Sequence, residues 1–412
     1  MDLRPLPETE EYRARVRAFL KEHLPADWQG VGALSADERE QFLPRWRETL
    51  RSNGYLGVAW PKEYGGAGLS VLEQSTLQQE FVRAGVPVLP MPSDSFGFNL
   101  IGPTLLHWGT QEQKDFFIPR ILSGEHRWAQ GYSEPEAGSD LFGLRTRGVV
   151  DGDEWVIDGQ KLWQTAGAAA TWIFILARTE PDAQKAKGLS FLLVPMEQEG
   201  VEVRLIRTMT GEAEFCEVFL NSARTSVGNI VGPRGAGAHV ALTLLGYERG
   251  SASGAMYASH TIELDRLIEL ARLHGADADP QIRQRLAWCY SKVQIISYLG
   301  MRTMTSALTG APPGPESSMQ KLYVSEYHTR VTELAMDILG MAGTVRSGDP
   351  AVASLGADPL GAPNSPAAWQ NVYLRSRAAT IYGGSSQIQR NTLGERVLGL
   401  PREPRPVQEK IS

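Results

Sequence analysis

The sequence contains few of the residues that form disulfides and metal sites. Among its 412 residues there are two cysteines, Cys216 and Cys289, and both lie in apolar stretches, EFCEVF and LAWCYS. Two buried thiols are therefore expected rather than a disulfide or a metal pair. The seven histidines form no HExxH motif and the chain has no CxxC, which argues against a zinc site.

Long apolar runs and a basic surface are also missing. No run of about 18 apolar residues occurs, and the N-terminal segment MDLRPLPETEEYRARVRAF has no apolar signal region. The formal net charge is −6 with both signs scattered along the chain, so nucleic acid is not an expected partner. These features predict a cytoplasmic protein of a reducing compartment, without membrane insertion.

Hydrophobic periodicity predicts a helical region at the start of the chain. In ETEEYRARVRAFLKEHL, apolar residues recur at helical spacing on one face: Tyr12, Val16, Phe19, Leu20 and Leu24. Ser35-Ala36-Asp37-Glu38 fits a capping box, which predicts the start of a second helix.

The period changes near residue 128 and changes back near residue 233. Asp151-Gly152-Asp153 separates two β-type runs and predicts a hairpin. Further short strands are predicted at residues 171–178, 189–196, 201–206 and 215–220. We therefore predict an α+β multidomain fold with three domains: an N-terminal helical domain at 1–127, a β domain at 128–232 and a C-terminal helical domain at 233–412.

The glycine-rich segment GPRGAG (232–237) precedes a helix, as a dinucleotide-binding turn does. Its spacing, however, is G-x-x-G-x-G, no βαβ unit surrounds it, and no acid follows about 20 residues later at a strand end. We interpret this segment as a flexible hinge into the helix.

The segment QGYSEPEAGSD (130–140) opens the β domain and is rich in turn-forming residues. Its turn exposes backbone N–H groups and hydroxyls, which suit an anionic phosphate or a ring rich in acceptors. A turn without a ligand explains the same residues equally well. There is no G-x-S-x-G elbow, so a serine hydrolase is not supported.

The segment KLWQTAG (161–167) places Trp163 and Thr165 near the end of a predicted strand. Alternation puts both side chains on one face. An indole over a flat ring, with a hydroxyl at the ring's edge, suits a flavin. Taken alone, a core tryptophan beside a hydrogen-bonded threonine is the simpler interpretation.

The segment VALTLLGYERGSASGAMY (240–257) predicts a helix in which Leu244, Tyr247 and Glu248 share a face. Small residues follow, and each glycine in place of alanine costs a helix about 0.5–1 kcal/mol. Close approach of another group to the helix compensates for that cost. The carboxylate could then lie beside a ligand on an apolar face, although a surface Glu–Arg pair is the commoner arrangement.

Together and in this order, these segments resemble the acyl-CoA dehydrogenase family of flavoproteins. The ordered set is WPKEYGGAG, SEPEAGSD, DGQKLWQTAG, the ERG helix, IYGGSSQIQRN and ERVLGLP, and it covers nearly the whole chain. The resemblance implies a helical N-terminal domain, a middle β-barrel and a C-terminal four-helix bundle, with FAD between the barrel and the bundle. It also implies a dimer or tetramer in which a neighbouring subunit helps to hold the adenosine end of FAD.

The resemblance implies roles for individual residues. Tyr132 and Ser133 match positions that line the isoalloxazine, and Ser139 matches a position near the pyrophosphate. Trp163 and Thr165 match the flavin wall and a hydroxyl near its reactive edge. The other matches are Ser385 and Gln387 as further FAD contacts, and Arg249 and Tyr382 on the substrate side, with Arg249 directed towards the CoA phosphates.

The family's chemistry needs a general base for the α-proton of the thioester, while flavin N5 accepts a hydride from the β-carbon. Most members carry this base as Glu in a Tyr-x-Gly-Thr segment, which here reads Tyr382-Gly383-Gly384-Ser385. A minority place it on the helix that matches Glu248, so the resemblance implies Glu248 as the base. We expect burial to raise the pKa of that carboxyl. Gly383 keeps the backbone N–H that polarises the thioester carbonyl.

Two departures from the family pattern concern FAD bound to a neighbouring subunit. His274 stands where Phe is usual after an arginine, and Arg272 is out of step; Asp337 stands where Gln is usual. An acid near FAD phosphates repels them. These departures lead to the hypothesis that the chain pairs with a diverged subunit in an α2β2 tetramer rather than forming a homotetramer.

The expected reaction is α,β-desaturation of an acyl-CoA, with electrons passed to an electron-transfer flavoprotein. The expected acyl group is branched, long or bulky, including a steroid side chain. Two alternatives stay open. One is an acyl-CoA oxidase, in which O₂ reoxidises the flavin; the other is a flavin-poor, non-catalytic subunit of a heteromeric dehydrogenase.

Overall fold

The structure is a computed structural model, and it describes residues 7–183, 185–250, 253–309, 314, 317–344 and 360–402, without the side chains of residues 248–250, 253 and 254. The chain divides into two compact units. The first contains the described residues up to Ser259 together with 360–363, and the second contains those from His260 onward apart from 360–363. Among the described residues, no helix combines the length and the apolar character needed to cross a membrane.

The first unit begins with helices, as the periodicity predicts. Helix α1 buries one face of predicted residues, Tyr12, Val16, Phe19 and Leu20. The predicted capping box at Ser35 is present, because the Ser35 hydroxyl accepts from the Glu38 N–H and the Glu38 side chain accepts from the Ser35 N–H. The helices are α1 (Pro7–His23), α2 (Ala36–Ser52), α3 (Val71–Arg83), α4 (Gly102–Trp108) and α5 (Gln111–Ser123).

An eight-stranded sheet follows these helices. Its strands are β1 (Trp128–Gly131), β2 (Arg147–Asp151), β3 (Glu154–Thr165), β4 (Trp172–Arg178), β5 (Leu189–Pro195), β6 (Val201–Ile206), β7 (Phe215–Ser226) and β8 (Ile230–Val231). Their order is β6-β7-β3-β2-β4-β5-β8, and β1 pairs with β4. The predicted hairpin joins β2 to β3, with Asp151 opposite Glu154. The change from helical to β structure is therefore confirmed.

Helix α6 (Gly237–Gly250) packs on β5 through its glycine at the first position. A Cβ on Gly237 would lie 2.5 Å from the Ser190 carbonyl carbon, so only glycine permits this approach. The Trp108 indole N–H donates to the Thr243 hydroxyl at 3.2 Å and joins α4 to α6. Val240, Ala241 and Leu244 are completely buried on this helix.

The second unit is helical. Helix α9 buries residues along most of its length, and it packs against α8 and α10. The helices are α7 (Ser253–Leu273), which starts in the first unit, α8 (Pro280–Leu308), α9 (Ser317–Leu339), α10 (Pro366–Ser376) and α11 (Ser386–Thr392). The order of helical, β and helical regions that the sequence predicts is thus the order that the chain adopts.

Candidate functional site

Trp163 is held in an unusual backbone conformation near the end of β3. Its φ is +69°, and the register slips between Leu162 and Gln164, which places Trp163 in a bulge. A left-handed conformation costs a residue other than glycine about 1–2 kcal/mol. The indole is nevertheless 55% exposed, with its edge towards the ring of Phe215 at 6.0 Å between centroids. A strained backbone that holds an aromatic side chain in an exposed position is typical of a ligand-binding site.

The bulge changes the alternation that the sequence predicts for this segment. Lys161 and Gln164 are both buried although they are three residues apart, and Thr165 is half-buried. A regular strand would have turned Gln164 to the face opposite Lys161. Strict alternation therefore does not hold across Trp163, because one extra residue is inserted at the bulge.

The turn after β1 contains the predicted residues Tyr132, Ser133 and Ser139. Tyr132 is buried, with its ring edge-on to Phe174 and Phe191. Ser133 is half-buried, and its carbonyl oxygen accepts from the Leu162 N–H at 2.9 Å. Ser139 is exposed in the loop that follows. The turn and the bulged end of β3 are thus neighbours, joined by a backbone hydrogen bond.

A buried ion pair joins the same two segments. The Lys161 ammonium donates to Glu134 Oε1 and to the Leu176 carbonyl oxygen, both at 2.8 Å. Lys161 is completely buried, and the Glu134 side chain is 7% exposed. The backbone N–H groups of Arg145 and Thr146 donate to the Glu134 carboxylate at 2.6 and 3.0 Å. The sequence interpretation assigned this pair no role. The signal that could have revealed it is the presence of a glutamate and a lysine inside the two motifs expected to contact a ligand, QGYSEPEAGSD and KLWQTAG.

Burial and pairing oppose each other in this ion pair. Burial lowers the pKa of Lys161 to about 8, although the Glu134 carboxylate favours the ammonium. Burial also disfavours the Glu134 carboxylate, but Lys161 and the backbone hydrogen bonds outweigh it and lower the pKa of Glu134. Both groups are therefore predominantly charged at neutral pH.

Helix α6 contains the predicted base and its neighbouring arginine. Position 248 follows the completely buried Leu244 by one helical turn. Tyr247 is half-buried, and burial raises the pKa of its hydroxyl. The side chains of Glu248 and Arg249 lie outside the described residues. Helix α6 is described as far as Gly250 and α7 from Ser253, so residues 251 and 252 of the helix predicted across 240–257 lie outside the described residues.

In the second unit, the predicted residues Tyr382 and Gly383 lie in a loop of two consecutive glycines. Gly383 and Gly384 have φ values of +61° and +87°, both in the left-handed region. Tyr382 and Gly383 are exposed. This backbone conformation favours glycine, which gives a physical reason for glycine where most family members are expected to carry a glutamate.

The two other predicted residues of the second unit follow this loop. The half-buried Ser385 is the N-cap of α11, and its hydroxyl accepts from the Ile388 N–H at 3.3 Å. Gln387 is exposed in the first turn of that helix. Both residues lie on the C-terminal side of the glycine pair.

Lys321 of α9 is a further residue of this loop that the sequence interpretation missed. Its ammonium donates to the carbonyl oxygens of Ala379 and Gly384 at 3.0 and 2.7 Å. A Cβ on Gly383 would lie 3.8 Å from the Lys321 Cε atom. Lys321 lies 58 residues before Ala379, so no local sequence pattern indicates that it contacts this loop.

Asp337, which departs from the family pattern, forms an ion pair. Its carboxylate accepts from the Arg285 guanidinium at 2.6 Å, and both side chains are exposed. The negative charge of Asp337 is therefore offset by a cation on α8. The repulsion expected between this acid and a phosphate is correspondingly weaker.

Both cysteines are buried, as predicted, and both are free thiols. Burial raises the pKa of Cys216 to about 11 and that of Cys289 to about 12. A thiol with so high a pKa is a poor nucleophile at neutral pH.

Comparison with known proteins covers nearly the whole chain. The family models match in order: the acyl-CoA dehydrogenase N-terminal domain at residues 7–125, the middle domain at 129–223 and the C-terminal domain at 235–398. Acyl-CoA dehydrogenase IpdE1 of Mycobacterium tuberculosis is 40% identical over 402 residues, which is 97% of this chain and 99% of the relative.

Two similar solved structures name two proteins each in their titles. The Tcur3481-Tcur3483 steroid ACAD has a TM-score of 0.81 at 34% identity, covering 98% of this chain and 100% of that chain. The ChsE4-ChsE5 complex from Mycobacterium tuberculosis has a TM-score of 0.78 at 30% identity, with 98% and 100% covered. The chain therefore belongs to the acyl-CoA dehydrogenase family of flavoprotein oxidoreductases.

Proposed function

We propose that this acyl-CoA dehydrogenase binds FAD and desaturates a bulky acyl-CoA thioester with Glu248 as its general base. The observation that carries the assignment of the base is the loop at Gly383 and Gly384. Both glycines are left-handed, and neither has a side chain that could remove a proton. The family's reaction still needs a base, and Glu248 is the carboxylate at the other position that the family uses.

The register of α6 supports Glu248. Val240, Ala241 and Leu244 form the buried face of this helix, and residue 248 follows Leu244 by four positions. Residue 248 is thus in register with the buried face of α6, a position that suits a carboxylate acting as a general base.

The residues of each unit fit a flavin. In the first unit, an exposed indole is fixed in a strained bulge, which suits one face of a flat aromatic ring. The exposed turn at Ser139 suits the phosphates. In the second unit, Gly383 is exposed, so a ligand can approach its backbone closely.

When bound, FAD would supply the acceptor for the hydride that leaves the β-carbon. The chain's own residues do the remainder. The Glu248 carboxylate removes the α-proton, and the Gly383 N–H donates to the thioester carbonyl oxygen on which negative charge develops. Trp163 covers the ring and excludes water, with the Thr165 hydroxyl at its edge. Arg249 pairs with the CoA phosphates.

The substrate class and the partners are part of the proposal. The relatives support a steroid thioester, because one similar structure is titled a steroid ACAD. Two similar structures name two proteins each, which supports assembly with a diverged second subunit. We further propose an electron-transfer flavoprotein as electron acceptor, and the division at residues 1–127, 128–232 and 233–412, which the ranges of the family models support.

The test is Glu248→Gln, with exposed Glu112→Gln on α5 as the control. We expect the Glu248 variant to keep its FAD and lose at least about 100-fold in kcat, within the usual contribution of a general base. Exchange of the substrate α-proton with D₂O should fall in parallel. Turnover of Glu248→Gln within threefold of the unsubstituted protein would reject Glu248 as the base.

Flavin bleaching by a panel of straight-chain, branched and steroid acyl-CoA thioesters tests the substrate class. Faster bleaching by the steroid thioesters is the expected result, and bleaching by straight chains alone would contradict it. Stoichiometric H₂O₂ formation during turnover would favour an oxidase instead. The similar relatives are named dehydrogenases, so the non-catalytic alternative is not favoured.

A further inference from the structure

We propose that the buried ion pair of Glu134 and Lys161 is a positioning device for the flavin pocket. It fixes the distance between the turn at residues 132–140 and the bulged end of β3, and it thereby sets the orientation of Trp163. The inference rests on the proposed flavin function and assigns to that site two residues that do not themselves touch the ring.

The pair lies between the two segments that are proposed to contact the flavin. Glu134 is adjacent to Ser133 in the turn, and Lys161 is two residues before Trp163 on β3. The Leu162 N–H, between Lys161 and the bulge, donates to the Ser133 carbonyl oxygen at 2.9 Å. Consecutive residues on each segment are therefore tied to the other segment, once through side chains and once through the backbone.

The geometry leaves little freedom to either side chain. The Glu134 carboxylate accepts from Lys161 and from two backbone N–H groups of the residues just before β2. The Lys161 ammonium also donates to the Leu176 carbonyl oxygen of β4. One buried cluster thus connects the turn, β2, β3 and β4 immediately before the strand departs from regular geometry.

Stability alone does not explain a pair of this kind. Moving two charges out of water is unfavourable, and well-packed apolar residues of similar volume are often equally stabilising. The Glu134–Lys161 ion pair has a fixed length and direction, so it holds the two segments at a defined position relative to each other. Apolar contacts fix such a position less strictly. The residue that depends on this registration is Trp163. Its left-handed backbone would relax if the contacts of Lys161 and Leu162 with the turn were removed.

The experiment compares the full-length chain with Lys161→Met, Glu134→Gln and the double variant. Arg47→Met is the matched control, because Arg47 and Asp94 form another buried pair of the first unit, with side chains 9% and 6% exposed. Each protein is stripped of flavin and titrated with FAD. The readouts are the Kd for FAD, the shape of the bound flavin's visible absorbance bands and the midpoint of thermal unfolding.

We expect both single variants to unfold at lower temperature, since each leaves one buried group unpaired. The double variant should recover most of the loss in unfolding temperature, yet bind FAD at least tenfold more weakly and with altered flavin absorbance. Arg47→Met should unfold at lower temperature while keeping its Kd for FAD within twofold.

Two results would overturn the proposal, and they differ in what else they reject. If the double variant binds FAD within twofold of the unsubstituted chain and with the same spectrum, the pair has no positioning role, while the flavin function stands. If the unsubstituted chain binds FAD neither alone nor together with its proposed second subunit, the flavin function fails and the positioning role fails with it.

Discussion

The Lys321 ammonium lies within hydrogen-bonding distance of the Gly384 carbonyl oxygen, at 2.7 Å, and so connects α9 to the glycine pair of the loop. A second bond, to the Ala379 carbonyl oxygen, anchors the start of the same loop. The proposed donor to the thioester carbonyl, the Gly383 N–H, lies between these two anchored residues. The position of the Gly383 N–H therefore depends on Lys321, which lies on α9 and far from the loop in sequence.

Lys321→Met should consequently lower kcat by about tenfold, because a loosened loop misplaces the Gly383 N–H. KM should change less than kcat, since the donor acts mainly on charge that develops in the transition state. Lys292→Met is the control. It removes the same type of side chain, but Lys292 of α8 contacts the rings of Trp288 and Tyr323 and not the carbonyl groups of the glycine loop. Steady-state kinetics that give Lys321→Met a kcat within twofold of the original would contradict the role of the lysine.

Alanine substitutions at the two glycines should differ in their effects. Gly383→Ala introduces a Cβ that meets the Lys321 Cε at 3.8 Å, so its cost is mainly the left-handed conformation, about 1 kcal/mol. At Gly384 the Cβ would lie 2.6 Å from the Nε2 atom of buried Gln389, which donates to the Gly383 carbonyl oxygen. Gly384→Ala should therefore be more destabilising in denaturant unfolding.

The double variant Gly384→Ala with Gln389→Ala isolates the steric contribution. We expect its loss of unfolding free energy to be smaller than the sum of the two single losses, because removing Gln389 also removes the clash. If the two losses of unfolding free energy are strictly additive, the added methyl group at residue 384 is accommodated without breaking the hydrogen bond from Gln389 to Gly383.

The strain at Trp163 can be measured with a pair of variants. Trp163→Ala and Trp163→Gly both remove the indole, but only glycine adopts φ = +69° without steric cost. The glycine variant should therefore be more stable than the alanine variant by about 1 kcal/mol in urea unfolding of the flavin-free protein.

Both variants should bind FAD more weakly than the original, since the ring wall is gone. Trp163→Phe keeps an aromatic face and serves as the control for FAD binding. If Trp163→Gly is no more stable than Trp163→Ala, the left-handed backbone at this position stores no strain.

A buried carboxylate in the second unit predicts a pH dependence of stability. Glu263 is completely buried, with its carboxylate 2.8 Å from His328 Nε2 and 3.4 Å from His260 Nδ1. Burial disfavours the carboxylate, but the two histidines outweigh it and lower the pKa of Glu263 from 4.5 to about 2. A lowered pKa in the folded state means stability that is complete above pH 4.5 and lost as the pH falls towards 2.

The free energy of unfolding should therefore lose roughly 2 kcal/mol from this group between pH 6 and pH 3. Glu263→Gln should lack that contribution, so its deficit relative to the original protein narrows as the pH falls. Glu333→Gln is the control, because Glu333 pairs with Arg377 at a site 46% exposed and should change stability by under about 1 kcal/mol. A pH-independent deficit in Glu263→Gln would contradict the assigned pKa.

Much of the candidate site could be located from the sequence, because its segments are short and distinctive. The turn at 130–140, the strand end at 161–167 and the double glycine at 383–384 were all identifiable as local patterns. At the glycine pair, the resemblance to the family led to the expectation that the base lies elsewhere. What the pattern could not predict was the bulge at Trp163, because a bulge depends on the register of a strand pairing with residues more than 50 positions away.

The sequence by itself determined the order of helical, β and helical regions, since hydrophobic period, capping boxes and the turn at Asp151-Gly152-Asp153 are local properties. Only the tertiary structure decided which charges would be buried and with what partners. Glu134 meets Lys161 across 27 residues, and Glu263 meets His328 across 65. A buried charge requires a compensating group in space, and chain folding alone brings such groups together.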